Sequence, residues 1–218
     1  MLKYQTNNPK YPIKSILFML HGWGMDKNEM VQFFRLFPDL NNYLLVAIEA
    51  PYWRENVQGY SWFTMCNRVK EAFMGANADD IRKHQLIPAM EAEFHKLDKV
   101  IQTLCRHYQT TEYSLLGYSQ GAMMALHYGL LTAHAPQKII SIAGYGIYEI
   151  LDKADINAKN ITLITGSKDK IVQPIFQKEL YGYLKQKKAD ISLHIIENIG
   201  HIPLSEELMS CAYRQFLY

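Results

Sequence analysis

The sequence predicts an α/β fold, a mostly parallel sheet with helices on both faces. Three observations carry this. Short apolar or β-branched runs alternate with longer segments of helical period, the pattern left by successive βαβ units. The 218 residues, 49% of them hydrophobic, suffice for one well-buried core and are too few for two ordinary domains, so 1–218 is expected to form a single domain. No internal repeat, low-complexity tract or linker interrupts the pattern.

In chain order, strands are expected at Ser15 to Leu20, Tyr43 to Glu49, Tyr113 to Leu116, Lys138 to Ala143, Ile161 to Thr165 and Ile191 to Ile196. Helices fall between them. Met30, Phe33, Phe34 and Phe37 have near-helical spacing and read as core. The clearest helix covers Gln85 to Arg106, where Met90, Phe94, Leu97, Ile101 and Leu104 recur at spacings of four and three on one face. Another covers Ala122 to Leu131. A third begins near Gln173, with Pro174 suited to the first turn, and the last runs from about Leu204 to the C-terminus. Residues Pro51 to Lys83 form a long connection of weak periodicity, aromatic early and polar later, of the kind that is functional or disordered. About seventeen residues separate Ala143 from Ile161, which leaves no room there for a separate lid domain.

Composition narrows the function. Lys and Arg total 23 against 21 Asp and Glu, and the one basic block, Lys185 to Lys188, reads as a solvated helix end, so nucleic acid is not an expected partner. Cys66, Cys105 and Cys211 are widely spaced and odd in number, which gives neither a disulfide framework nor metal-ligand spacing. No His-x-His or His-Glu-x-x-His pattern occurs, and no metal or organic cofactor is expected. The N-terminus lacks a signal pattern, and no stretch reaches the roughly 20 apolar residues of a membrane span. A soluble, cytoplasmic protein is therefore expected.

The chemistry is concentrated in Gly117-Tyr118-Ser119-Gln120-Gly121, which follows the apolar run Tyr113 to Leu116 and opens the helical segment after it. A serine held on a sharp strand-to-helix turn points to acyl transfer, and the small residues at both ends suit a tight, strained backbone. A serine hydroxyl needs a base to take its proton and an acid to orient that base. Asp169, in Gly166-Ser167-Lys168-Asp169, and His201, after Gly200, each follow the carboxyl end of a strand, where open α/β sheets assemble their sites. His194 competes weakly because it lies within a strand. Glu149 and Asp152, after the preceding strand, are the alternatives to Asp169. An acyl oxygen that gains charge needs two N–H donors. Gln120 supplies one at a helix N-terminus, and Trp23, in His21-Gly22-Trp23-Gly24 after the first strand, is the candidate for the other.

With these residues in place the chain resembles an α/β-hydrolase, more closely the phospholipase/carboxylesterase family, which includes acyl-protein thioesterases and small bacterial carboxylesterases. The matching residues are His21-Gly22-Trp23-Gly24, Trp62-Phe63, Gly117-Tyr118-Ser119-Gln120-Gly121, Gly166-Ser167-Lys168-Asp169 with Val172-Gln173-Pro174, and Gly200-His201, in the family's order over nearly the whole chain. The resemblance implies a hydrolase of carboxylic esters, thioesters or lysophospholipids without a separate lid. Ser119, Asp169 and His201 would be its triad, and Trp23 and Gln120 its oxyanion donors. It departs from the family where Met25 stands between the turn and Asp26, and where Met1 to Lys14 is short for the usual first strand pair.

Tyr52, Trp53, Tyr60, Trp62, Phe63 and Met65, with Phe73 and Met74, gather apolar surface in the long connection. They either wall an acyl groove or pin the loop to the domain; the resemblance favours Trp62 and Phe63 at the substrate, with Tyr60 beside them. The expected partner is a small acyl ester or thioester, and a lysophospholipid substrate would bring transient contact with lipid surfaces. A peptidase or lactone hydrolase on the same scaffold, or a non-catalytic binding module, are the competing readings.

Overall fold

In the computed structural model, the apolar runs become the strands of one seven-stranded sheet; the structure describes residues 1–7, 9, 12–36, 40–63, 78–203 and 205–217, without the side chains of 33–36. The first half contains β1 (Tyr4–Thr6), β2 (Ser15–Leu20), α1 (Lys27–Leu36), β3 (Tyr43–Ile48), β4 (Tyr52–Arg54), β5 (Gly59–Ser61), α2 (Ala78–Ile81) and α3 (Ile87–His107). The second contains β6 (Tyr113–Tyr118), α4 (Gln120–Leu131), β7 (Ile139–Ile142), α5 (Tyr148–Leu151), β8 (Asn160–Gly166), α6 (Pro174–Gln186), β9 (Asp190–Ile196) and α7 (Glu206–Leu217).

The sheet order is β1-β3-β2-β6-β7-β8-β9, with every neighbouring pair parallel except β1 on β3. Every residue of β2 and β6 is buried, as a parallel strand covered on both faces requires. Alternation of side chains across the sheet separates two cores: Ile139, Ile161 and Leu163 join Leu126, Leu180 and Leu184 on one face, while Ile140, Ile142 and Ile164 join the larger cluster on the other. Strand β6 runs two residues past the expected end because Gly117 and Tyr118 still pair with Ser141 and Ile142 of β7.

Differences from the sequence expectation lie where local pattern is weakest. Strand β1 has only three residues and pairs antiparallel at the sheet edge, anchored by the buried Leu2. Inside the connection Pro51 to Lys83, β4 and β5 form a hairpin that is tied to the turn after β2: Gly24 N–H donates to the Tyr60 carbonyl and Tyr60 N–H to the Met25 carbonyl, both at 2.8 Å. Helix is already present at Ala78–Ile81, ahead of the expected Gln85, and passes through a π turn, Arg82–Leu86, in which Ile87 N–H donates to the Arg82 carbonyl. The widened turn accommodates Pro88, which has no N–H and crowds the carbonyl four residues before it. Along α3, Met90, Leu97, Ile101 and Leu104 are buried and Phe94 is half-buried.

Asp26 caps α1. Its Oδ1 accepts from the N–H groups of Asn28 and Glu29, and Glu29 Oε2 accepts from Asp26 N–H at 2.9 Å, a reciprocal capping box. Met30 is fully buried; Phe33, Phe34 and Phe37 lie outside the described side chains, as do Met65, Cys66, Phe73, Met74 and Leu204. Among the described residues, no helix is long and apolar enough to cross a membrane.

Two glycines give opposite expectations. A Cβ on Gly117 would lie 2.2 Å from the Gly121 carbonyl oxygen, where only backbone can yield, so Gly117→Ala should cost about 3 kcal/mol or more in urea unfolding. Gly182, within α6, has nothing within 4 Å of such a Cβ, and Gly182→Ala should stabilise by about 0.5–1 kcal/mol. Equal unfolding midpoints for the two variants would contradict this packing.

Candidate active site

Ser119 sits between β6 and α4 with φ 51° and ψ −114°, a left-handed conformation that costs a non-glycine residue about 1–3 kcal/mol. The surroundings hold it there. Ser119 N–H donates to the Ile142 carbonyl at 2.8 Å, and its own carbonyl accepts from Ala122 and Met123 at the start of α4. Gly121 lets the helix start approach the end of β2, since a Cβ there would meet the Leu20 and His21 carbonyl oxygens at 2.1 and 2.4 Å. The serine is thereby raised at the carboxyl edge of the sheet.

Asp169 and His201, some 30 residues apart in sequence, meet Ser119 at that edge. His201 Nε2 lies 3.0 Å from Ser119 Oγ, and His201 Nδ1 lies 2.7 Å from Asp169 Oδ2. The carboxylate is buried and held twice more, because its Oδ1 accepts from the N–H groups of Ile171 and Val172, each at 2.8 Å. With Asp169 as acceptor, Nδ1 carries the proton and Nε2 faces the serine as a base. The Tyr118 ring packs on the imidazole, centroids 5.3 Å apart. Glu149 and Asp152 are engaged elsewhere, on Arg82 and on Tyr183 and Lys187, and His194 lies within β9.

The residues flanking the serine carry a brace that sequence reasoning missed. Trp62 Nε1 donates to the His21 carbonyl at 2.8 Å, Trp62 N–H donates to Gln120 Oε1 at 2.8 Å, and Gln120 Nε2 donates to the Phe63 carbonyl at 3.1 Å. The Gln120 side chain thus ties the hairpin exit to the start of α4, and the indole ties it to the turn that carries Trp23. Trp62 and Phe63, expected to bear on substrate, are fully buried and occupy this bracing position rather than an open wall. Tyr60 is half-buried, pairs with Met25 and packs on Trp53, and it borders a cavity of about 570 Å³ shared with Leu2, Glu49 and Lys99. Among the described residues, neither Trp23 N–H nor Gln120 N–H donates to a carbonyl. Both remain available to an anion, Gln120 with the favourable end of the α4 dipole behind it. The one signal for the brace in the sequence is the indole itself, which needs an acceptor wherever it is buried.

Comparison with known proteins follows the same line. A model of the phospholipase/carboxylesterase family matches residues 3–218. Among curated proteins, none matches the chain by sequence. Solved structures that superpose over nearly the whole chain include esterase PE8, at 24% identity and a TM-score of 0.85, covering 99% of this chain and 97% of that one. A carboxylesterase from Mesorhizobium loti superposes at 20% identity and a TM-score of 0.77, covering 99% and 94%. Acyl-protein thioesterase 2 from Zea mays does so at 16% identity and 0.69, covering 99% and 98%. At these identities the likeness is one of fold, the α/β-hydrolase fold.

Two buried imidazoles clamp the frame around the site. His21 donates from Nδ1 to the Gly22 carbonyl and accepts from Ala50 N–H at Nε2, which ties the ends of β2 and β3 together. His127 does the same in α4, between the Met123 carbonyl and Ile147 N–H. Burial lowers both pKa values from the ordinary 6.5 to about 4. The unfolded chain takes up protons near pH 6.5 that the folded one refuses, so this stability is complete above that pH and is lost as the pH falls towards about 4. For the two together, the unfolding free energy should fall by about 2–4 kcal/mol between pH 7 and pH 5. Nitrogen NMR should show both rings as neutral Nδ1–H tautomers at about pH 5.5, a pH at which an ordinary histidine is protonated; protonated rings there would contradict the clamp.

Proposed function

The chain belongs to the phospholipase/carboxylesterase family, and from that premise we propose that it hydrolyses carboxylic esters or thioesters through an acyl-enzyme formed on Ser119. One observation carries the reading: the unbroken relay from Ser119 Oγ through His201 to the buried Asp169, at 3.0 and 2.7 Å. Ser119 Oγ attacks the acyl carbon while its proton passes to His201 Nε2. Asp169 stays ionised, holds the ring and stabilises the imidazolium. The oxyanion takes the Trp23 and Gln120 backbone N–H groups. When the tetrahedral intermediate collapses, His201 gives its proton to the leaving alcohol or thiol. Water, deprotonated by the same nitrogen, then attacks the acyl-enzyme and releases the acid.

Each step uses groups of this chain, without a metal or an organic cofactor. Residues 1–218 act as one catalytic domain in this reading, in the cytoplasm and on a small acyl substrate, which includes lysophospholipids. Rates on matched ester, thioester and amide substrates assign the leaving group, and amide turnover as fast as ester turnover would favour a peptidase.

Turnover of short p-nitrophenyl esters should fall by about 10⁴–10⁶-fold in Ser119→Ala and in His201→Ala, and by about 10³–10⁴-fold in Asp169→Asn. Retained activity in Ser119→Ala would sink the mechanism. Trp23→Ala, which keeps its backbone donor, should spare much of the rate. Gln120→Ala also keeps the N–H but releases the Trp62 and Phe63 backbones, and loosened geometry of that kind should cost up to about 100-fold. A wild-type rate in Gln120→Ala would show the brace to be dispensable.

A further inference from the structure

Among the side chains of Gly117 to Gly121, only that of Tyr118 has no part in the mechanism or in the brace. Tyr118 ends β6, is 2% exposed, and carries a buried hydroxyl that has no hydrogen-bond partner among the described residues. Burial, and after it the Asp169 charge, push the pKa of the phenol up, so the group stays neutral. A buried hydroxyl without a partner stabilises nothing, which leaves the ring to account for the residue.

Two parts of the site lean on that ring. The first is the base: the ring packs on the His201 imidazole with centroids 5.3 Å apart and planes at 37°. Asp169 holds the imidazole at one atom, Nδ1, and a single hydrogen bond leaves a ring free to swing about it. Neighbouring atoms have to stop that swing if Nε2 is to stay 3.0 Å from Ser119 Oγ. The second is the turn after β2. A Cβ on Gly22 would lie 2.9 Å from Tyr118 Cδ1 and 3.2 Å from Cε1, so the edge of the same ring lies against the Gly22 backbone. The Gly22 carbonyl and the Trp23 N–H are the two ends of one planar peptide. That carbonyl accepts from His21 Nδ1 at 2.7 Å and from Met25 N–H at 3.3 Å, which fixes the direction the peptide faces. How near the peptide stands to the serine depends on what Gly22 rests against.

From these contacts we propose that Tyr118 is a positioning residue whose ring spaces the His201 imidazole and the Trp23 N–H for the tetrahedral intermediate. The inference rests on the esterase reading and adds to it a residue that acts through the base and the oxyanion donor. Ser119 follows Tyr118 directly in the chain, so nucleophile, base and donor all take their positions from one side chain. The volume of the ring sets the spacing, and the hydroxyl is dispensable. Burial gives this role a kinetic signature. A side chain that is 2% exposed makes no contact with bound ester, so its loss lowers kcat and leaves KM in place.

Steady-state kinetics of the whole protein on a short p-nitrophenyl ester test this. Tyr118→Val keeps a strand-forming residue but removes every ring atom, and should lower kcat by about 10–100-fold with KM within about twofold. If the valine variant does not fold, Tyr118→Leu, which fills more of the space, takes its place. Tyr118→Phe keeps the ring and should restore kcat to within about twofold of the unaltered protein. Gly22→Ala presses a methyl against the intact ring and should also lower kcat by about 10–100-fold. In Gly22→Ala with Tyr118→Val that methyl has room, so the double variant should lose no more than Tyr118→Val alone, against the product of the two losses for independent sites. An unchanged kcat in Tyr118→Val or in Gly22→Ala, a loss in Tyr118→Phe as large as in Tyr118→Val, a loss expressed in KM, or multiplied losses in the double variant overturns the proposal. Each of those outcomes leaves turnover dependent on Ser119 and the esterase reading intact. Esterase activity retained in Ser119→Ala would instead overturn that reading, whichever residue stands at position 118.

Discussion

The site depends on one close approach, that of Gly121 to the carbonyls of Leu20 and His21. It brings the start of α4, with the backbone N–H of Gln120, against the end of β2, from which the turn bearing Trp23 leaves. Any side chain at position 121 would separate them. The left-handed backbone of Ser119 follows from the same constraint, because the chain must leave β6, turn and enter α4 within a single residue. The cost of that conformation is offset by bonds on both sides of the serine, to Ile142 and from Ala122 and Met123.

Rigidity at the edge comes from buried polar groups that are fully partnered. His21 and His127 each use both ring nitrogens on backbone groups from different elements, and burial keeps both rings neutral. Trp62 and the Gln120 side chain add three more bonds between the hairpin exit, the turn after β2 and the start of α4. Asp169 receives two N–H groups before it meets His201. Groups held in this way reach their partners without reorganising, which is what electrostatic stabilisation of developing charge requires.

Much of this was legible in the sequence, for reasons specific to each part. Five of the parallel strands could be read because strands covered on both faces are apolar almost throughout, and the edge strand β9 because its residues alternate. The chemical types and strand-end positions of Ser119, Asp169 and His201 were enough to select them as candidates, and the fold brings all three within hydrogen-bond distance. Strand β1 and the β4–β5 hairpin could not be read, since three-residue edge strands depend on partners supplied by the rest of the chain. Helical structure ahead of the expected Gln85 could not be read because the apolar spacing that marks the helix starts only at Met90, while Ala78 to Leu86 form a short helix and a π turn. The burial of Trp62 was illegible for another reason: an aromatic residue in a loop reads the same whether it meets a ligand or a carbonyl 41 residues away.

The family and the geometry together make a covalent intermediate on Ser119 the central claim. The most direct measurement is rapid quenching during turnover of a slowly hydrolysed ester, followed by mass spectrometry of the intact chain and its peptides. The account predicts one acyl group per chain, carried on Ser119 within the peptide containing Gly117 to Gly121. Turnover without an adduct, or an adduct on another residue, would contradict it.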